Sequence, residues 1–168
     1  MDTENEERKT RIEWNIKTVV LLIVMIIIPL LVGGISSFMT KDAMSAFDSM
    51  NKPPLAPPGW LFPVAWTILY VLMGIASFCI IKSDSKCRIK GIIIYIIQLI
   101  TNFFWSIIFF DVKAYTFAAI WLGALLFMII ALIINTAKYS KAACFMLIPY
   151  ACWCTFALYL NIGVAVLN

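Results

Sequence analysis

Three sets of residues repeat at one-turn helical spacing and carry groups able to do chemistry. Gln98, Asn102 and Ser106 fall at i, i+4 and i+8, which stacks them on one face of a helix. Phe62, Trp66 and Tyr70 do the same in an earlier segment, and Tyr150, Trp153, Ala157 and Asn161 share a face in a later one. These groups are neutral hydrogen-bond donors, acceptors and flat rings. They suit stacking on, and hydrogen bonding to, a flat apolar guest. They do not suit hydrolysis or metal binding. The chain contains no His, which excludes Ser-His-Asp and Cys-His triads, His-ligated zinc and an internal His haem ligand. Five cysteines (Cys79, Cys87, Cys144, Cys152 and Cys154) sit in or beside apolar runs without the spacing of a disulfide framework or a zinc site. No cofactor or metal is expected.

The elements that carry these residues are set by composition. Of 168 residues, 63% are hydrophobic and 13% charged, and the mean hydropathy is +0.96. A soluble domain has about 45–50% apolar and about 25% charged residues, so the chain reads as an integral membrane protein. Charge-free stretches cover 18–40, 53–81, 91–110, 114–137 and 142–168, together 123 of 168 residues. Each reaches the roughly 20 residues that a helix needs to cross a hydrocarbon core of about 30 Å. Backbone groups in lipid must be satisfied within the segment, and the runs do not alternate as barrel strands would. The expected fold is therefore an all-α, five-transmembrane-helix antiparallel bundle, a single domain over 18–168 behind a cytoplasmic tail at 1–17. Its helices are placed at about 18–40, 60–81, 91–110, 114–137 and 142–165. The first run is about twice the length of a signal-peptide core and reads as a retained helix.

Basic residues set the orientation. Ten of the 13 Lys and Arg lie in the N-terminal tail and in the second and fourth loops. Only Lys41, Lys52 and Lys113 lie on the other side. The positive-inside rule then puts the N-terminus in the cytoplasm and the C-terminus outside. Scattered in this way, the basic residues make no nucleic-acid patch. Loops two to four are short, so consecutive helices there are expected to be antiparallel neighbours.

The first loop is different. Met44, Phe47 and Met50 repeat at helical spacing, and then Pro53, Pro54, Pro57 and Pro58 force an extended path. This stiff loop reads as a lid over the bundle or as a rigid connector. No Asp, Glu, Lys or Arg lies within a span, which argues against proton relays, ion-coupled pumps and voltage sensors. Trp66 and Trp153 lie deeper than an interfacial belt, whereas Trp60 is placed as an interfacial anchor. Interhelical ties are the alternative reading of Gln98 and Asn102, and close packing is the alternative for Ala157. Gly33, Gly34, Ser36 and Ser37 make one end of the first span small and closely packable.

These segments resemble the tryptophan-rich sensory protein / translocator protein family (TspO/MBR, the peripheral-type benzodiazepine receptors). Phe47-Asp48-Ser49-Met50-Asn51-Lys52-Pro53, followed by Pro57-Pro58-Gly59-Trp60-Leu61-Phe62-Pro63-Val64-Ala65-Trp66-Thr67-Ile68-Leu69-Tyr70, is similar to the family's WYxxLxKPxxxPPxxxFxxxWxxLY. Gln98-Leu99, Asn102, Trp105-Ser106 and Phe109-Phe110 are similar to QLxxNxxWSxxFF. Leu147, Pro149-Tyr150, Trp153, Phe156-Ala157 and Leu160-Asn161 are similar to LxPYxxWxxFAxxLN.

The resemblance implies five helices around a pocket open toward the first loop, usually in a homodimer. It implies binding of protoporphyrin IX-like tetrapyrroles and of synthetic benzodiazepine-site ligands such as the isoquinoline carboxamide PK11195. Carried over by motif, the ligand-binding residues are Phe47, Pro57, Phe62, Trp66, Tyr70, Asn102, Trp105, Ser106, Phe109, Trp153, Ala157 and Leu160. Trp66 and Trp153 also match residues implicated in light-dependent porphyrin degradation, a catalytic role that no acid/base pair, metal set or activated nucleophile of the sequence supports by itself. Two departures stand out. Ala46 and Phe47 replace the family's Trp-Tyr pair, and no basic residue follows Tyr159, so the C-terminal cholesterol motif is absent and cholesterol is not an expected ligand. The expected role is sensing, regulation or transport of a tetrapyrrole in a bacterial plasma membrane. A photochemical enzyme, a transporter lacking any charged coupling residue, and a ligand-free structural subunit are the competing readings.

Overall fold

The computed structural model describes residues 15–41 and 43–168. The basic tail residues Arg8, Lys9 and Arg11 lie outside them, as do the side chains of Met44 and Ala46. The described residues form helices and connecting turns: α1 (Ile16–Met39), α2 (Ala43–Ser49), α3 (Leu61–Lys82), α4 (Arg88–Ser106), α5 (Tyr115–Thr136) and α6 (Lys141–Leu167). A π-helical turn, Ile107–Asp111, continues α4. Five of these helical units are long and apolar enough to cross a membrane. The protein is an integral membrane protein with a five-helix bundle.

Local signals fix the helix ends. Asn15 caps α1 by accepting from the Thr18 backbone N–H at 2.9 Å, and Ser140 caps α6 through the Ala143 N–H at 3.3 Å. Each satisfies one of the donors that a helix start leaves free. Charge in the flanks does not mark the ends closely. α4 begins at Arg88 and α6 at Lys141, so the basic residues expected in loops form part of the first helical turns.

Around the bundle the helices run in the order α1, α3, α6, α5, α4, and α4 closes back on α1 more loosely. α5 packs closely on both α4 and α6. Its buried face, Ala118, Leu122, Leu125, Ile129 and Leu132, has the 3–4 residue period of a stripe facing a core. α3 packs mainly on α1 and α6 and touches α4 far less. The expectation that the short second loop makes its two helices close neighbours therefore fails over most of their length. At the loop, Gly91 leaves room for Ile80, Asn135 and Tyr139. Further along, the rings of Trp66, Tyr70 and Trp105 stand between α3 and α4, with Trp66 and Trp105 centred 6.2 Å apart, and hold the two backbones away from each other.

α1 is the outermost helix. Of its side chains, only Thr18, Pro29 and Ser36 are buried. It meets α3 through a glycine: a Cβ on Gly74 would lie 2.5 Å from Ile26 Cα and 2.7 Å from the Met25 carbonyl oxygen. Small residues permit this backbone approach in lipid, where packing rather than water exclusion drives association. Gly74→Val should therefore lower stability by about 1–3 kcal/mol, as overpacking does elsewhere. Gly123→Ala, where an added methyl meets nothing within 4 Å, should leave it unchanged or raise it. Thermal unfolding in one detergent compares the two, and equal melting temperatures would mean that α1 is not held at Gly74.

Candidate functional site

The first loop returns to the bundle end and is tied down there. Asn51 N–H donates to Asn168 Oδ1 at 3.1 Å, and Asn168 Nδ2 donates back to the Asn51 carbonyl at 2.9 Å. Tyr159 Oη donates to the Pro54 carbonyl at 2.7 Å. Gly163 lets the Pro53 ring approach so closely that a Cβ there would lie 2.5 Å from it. The extended proline segment is thus laced to the last turns of α6. On its other side α2 rests on the π turn and drives Phe47, 2% exposed, into the bundle. The Phe47 ring meets Phe62 edge-on at 4.8 Å between centroids. Pro57 is half-buried in the same loop and lines neither of the voids described next.

Beneath the loop, a cavity of about 310 Å³ lies between α1, α3 and α4. Its walls include Phe62, Trp66 and Tyr70 from α3 and Asn102, Trp105 and Ser106 from α4. Both sets were singled out by their spacing, and they face one another across one space. The third wall comes from α1: Leu30, Gly33, Gly34, Ser36 and Ser37, with Thr40 and Lys41 at the rim. Sequence spacing did not assign these residues to a site. Their signal was a run of small residues, which reads as close packing; Gly33 does pack against the Tyr70 ring, whereas Gly34 meets nothing within 4 Å and leaves space. Lys41 is the one cation among the lining residues, with its ammonium 4.2 Å from the Phe38 ring centroid, a cation–π distance.

The remaining predicted residues lie elsewhere. Phe47, Phe109, Ala157 and Leu160 line a separate void of only about 10 Å³. Phe62, Trp105 and Phe110 border both spaces and so form the partition between them. Trp153 borders neither. Its ring sits 5.9 Å from Phe62 and 5.9 Å from Phe156, and its Nε1–H is buried without a hydrogen-bond partner.

A neutral hydrogen-bond chain supports the cavity floor. Tyr70 Oη donates to Asn102 Oδ1 at 2.8 Å, Asn102 Nδ2 donates to Tyr150 Oη at 3.1 Å, and Tyr150 Oη donates to Gln98 Oε1 at 2.9 Å. All four residues are buried. One stripe on α4 thereby ties α3 and α6 together. A second link runs from Trp105 Nε1 to Asn161 Oδ1 at 3.2 Å, and from Asn161 Nδ2 to the Tyr115 carbonyl at 2.9 Å. Ser106 completes the stripe by hydrogen bonding to Ser36 of α1. Gln98 and Asn102 are interhelical ties, and Asn102 and Ser106 are cavity walls as well. Ring contacts run through the same region: Trp66 lies 5.5 Å from Tyr70 and 6.1 Å from Tyr150, and Trp105 stacks on Phe109 at 5.6 Å.

The TspO/MBR family model matches residues 25–167. The chain belongs to the TspO/MBR family. It is 35% identical to Tryptophan-rich protein TspO of Chlorobaculum tepidum, over 79% of this chain and 85% of that one. It is 33% identical to Tryptophan-rich protein TspO of Archaeoglobus fulgidus, over 88% of this chain and 96% of that one. The translocator protein of Ovis aries is 32% identical, over 75% and 76%. In this TspO/MBR member the buried Tyr–Asn–Tyr–Gln chain lies beneath the loop, and Phe47 meets Phe62 of the partition.

Asn102→Leu removes the acceptor of Tyr70 and a donor to Tyr150 at once. It should cost about 1–3 kcal/mol, the range for stranding buried polar groups. Tyr70→Phe breaks a single link and should cost nearer the ~0.6 kcal/mol typical of one interhelical bond in a membrane. Unfolding of both variants in detergent checks the order; a neutral Asn102→Leu would show that the network does not hold the helices.

Proposed function

We propose that this TspO/MBR protein binds protoporphyrin IX-like tetrapyrroles, and benzodiazepine-site ligands such as PK11195, in its intramembrane cavity, for sensing, regulation or transport of the tetrapyrrole. The observation that carries this reading is the cavity wall: three large rings, Phe62, Trp66 and Trp105, face small residues of α1, with hydroxyl and amide groups at Tyr70, Asn102 and Ser106. Such a wall stacks on a flat apolar body, and Lys41 at the rim offers charge-assisted hydrogen bonds to carboxylates on one edge. The names of its relatives, a translocator protein among them, are consistent with this role.

The cavity is at the lower end of the roughly 300–1,000 Å³ range of ligand pockets. A tetrapyrrole therefore calls for the partition to give way, so that the small void under Phe47 joins the larger one. Rotation of Phe62 or withdrawal of α2 would do this, and would bring Phe47, Phe109, Ala157 and Leu160 into contact with the guest. Trp153, beside Phe62, would join them. In this reading the first loop serves as the lid. Applied to the described loops, the positive-inside rule turns the lid outward and the α3–α4 loop toward the cytoplasm, in a bacterial plasma membrane. The protein would act there as a homodimer.

The second reading is light-dependent degradation of the bound porphyrin, with Trp66 and Trp153 as its redox partners. The ring series Trp105, Trp66 and Tyr150, at 6.2 and 6.1 Å between centroids, favours it as a path for an electron. Product identical to that of porphyrin irradiated in empty nanodiscs would argue against it.

Titration of protoporphyrin IX into the protein in nanodiscs, in the dark, tests the first reading by quenching of Trp fluorescence. Saturable quenching is expected, with Trp66→Phe weakening affinity by about 0.5–1.5 kcal/mol through lost ring contact. The Trp66→Phe/Trp153→Phe double variant should weaken it further, because the guest reaches past Phe62. Linear quenching, insensitive to both substitutions, would mean partition into lipid and would overturn the proposal.

A further inference from the structure

A second and larger space lies in the loose seam between α1 and α4, toward the α3–α4 loop. It holds about 520 Å³, and its walls are apolar apart from Ser77 and Tyr95. Ile28 and Val32 of α1, Ile81 of α3, and Ile92, Leu99 and Phe103 of α4 are among its walls. It is separate from the aromatic cavity. Ser36, which lines that cavity, hydrogen-bonds Ser106 and the carbonyl of Phe103, which lines this one. The seam is thus pinned at the boundary and open on the far side.

Two properties of the groove point to its occupant. The first is length. From Ile92 to Phe104, its lining residues on α4 span thirteen residues, or roughly 18 Å at helical rise. One leaflet of a bilayer with a core of about 30 Å is about 15 Å deep. A groove of this length matches one acyl chain reaching down from the interface. The second is charge. Arg88 lies one turn before Ile92 on α4 and so shares its face, and Lys82 follows Ile81 at the end of α3. Lys82, Lys86, Arg88 and Lys90 are all exposed, and none of them forms an ion pair among the described residues. Asp84 is the single acid in that loop. Basic clusters where transmembrane helices meet the interface recognise anionic head groups.

The wall chemistry disfavours a helix from a second copy. Helix pairs in lipid approach through Gly, Ala, Ser and Thr. Ser77 is the one such residue among the walls of this groove, and its hydroxyl is turned back to the Gly74 carbonyl at 2.8 Å. The outer lips are Ile35, Ile96, Ile100 and Phe104, each 45–54% exposed. Long, branched side chains around a concave space fit a flexible chain better than a second rigid helix.

We propose that this groove is a binding site for an anionic phospholipid, with one acyl chain lying between α1 and α4 and its phosphate held by Lys82, Arg88 and Lys90. The site is independent of the tetrapyrrole reading, because it shares no lining residue with the aromatic cavity.

Native mass spectrometry of the full chain, delipidated in detergent and reloaded with phosphatidylglycerol or phosphatidylcholine of identical chains, tests this. One retained phosphatidylglycerol per chain is expected, and phosphatidylcholine should be held more weakly by roughly tenfold or more. Lys82→Gln/Arg88→Gln/Lys90→Gln changes exposed residues, with circular dichroism verifying the fold because Arg88 Nη1 also donates to the Ser83 carbonyl at 2.8 Å. The triple variant should reduce phosphatidylglycerol retention roughly tenfold or more, to the level of phosphatidylcholine, since each basic residue near a membrane surface adds about a factor of five. Val32→Trp fills the groove and should lower retention of both lipids, with circular dichroism verifying that the helices persist. Equal retention of the two lipids by the unaltered chain, or undiminished preference in the triple variant, would overturn the head-group assignment. A lipid-free dimer that Val32→Trp dissociates would show instead that a second copy fills the groove.

Discussion

Everything inside this bundle depends on polar groups satisfying one another without charge or water. A hydrocarbon surround offers no partner to a stray amide or hydroxyl, and each one left alone is costly. Tyr70, Asn102, Tyr150 and Gln98 meet that constraint by forming one chain across α3, α4 and α6. Two phenols and two carboxamides supply both donors and acceptors, so the chain closes over three helices with one amide nitrogen, Gln98 Nε2, left over. The chain also fixes the depth of the aromatic cavity, because Tyr70 and Asn102 belong to both.

The rings follow from the same constraint. The buried face of α5 from Ala118 to Leu132 is aliphatic, and α5 packs closely on both neighbours. α3 and α4 carry Trp and Tyr where their faces meet, and bulky rings hold backbones apart. The glycine-lined side of α1 then cannot fill the remaining volume. Gly33 lies against the Tyr70 ring with no space for a Cβ, while Gly34 and Ser37 leave the opening next to it. The cavity is thus a consequence of large side chains on two helices and small ones on the third.

The sequence was most legible where one physical rule dominated. Apolar length located the five crossing helices, and helical spacing placed Phe62, Trp66 and Tyr70 opposite Asn102 and Ser106. Spacing along one helix says nothing about distances between helices, and there the reading was incomplete. Phe47, Phe109, Ala157 and Leu160 belong to a separate small void, and Trp153 stands behind Phe62. The α1 wall went unassigned because Gly33, Gly34, Ser36 and Ser37 carry no chemistry of their own, and a small residue marks close packing and open space alike. Loop length also misled at the second loop, since it limits separation only at the helix ends. The π turn Ile107–Asp111 has no composition signal at all; it shows only in the backbone, where the Val112 N–H bonds to the Ile107 carbonyl at 3.0 Å.

Charge, absent from the interior, is confined to the rims, and its placement there differs between the two ends. At the first-loop end Lys41 borders the aromatic cavity, and Lys52 is held by Asp48 at 3.3 Å. At the other end four exposed basic residues, Lys82, Lys86, Arg88 and Lys90, lie in or beside the α3–α4 loop. Apart from Lys41 at the rim, no charged side chain lines the aromatic cavity or the apolar groove. What the interior offers a guest is shape, ring stacking and hydrogen bonding. Any electrostatic preference has to be exerted at the rims, where water keeps the cations solvated and salt screens them. A guest with acidic groups on one edge would be oriented by that division alone, its apolar body in the bundle and its charged edge at the interface.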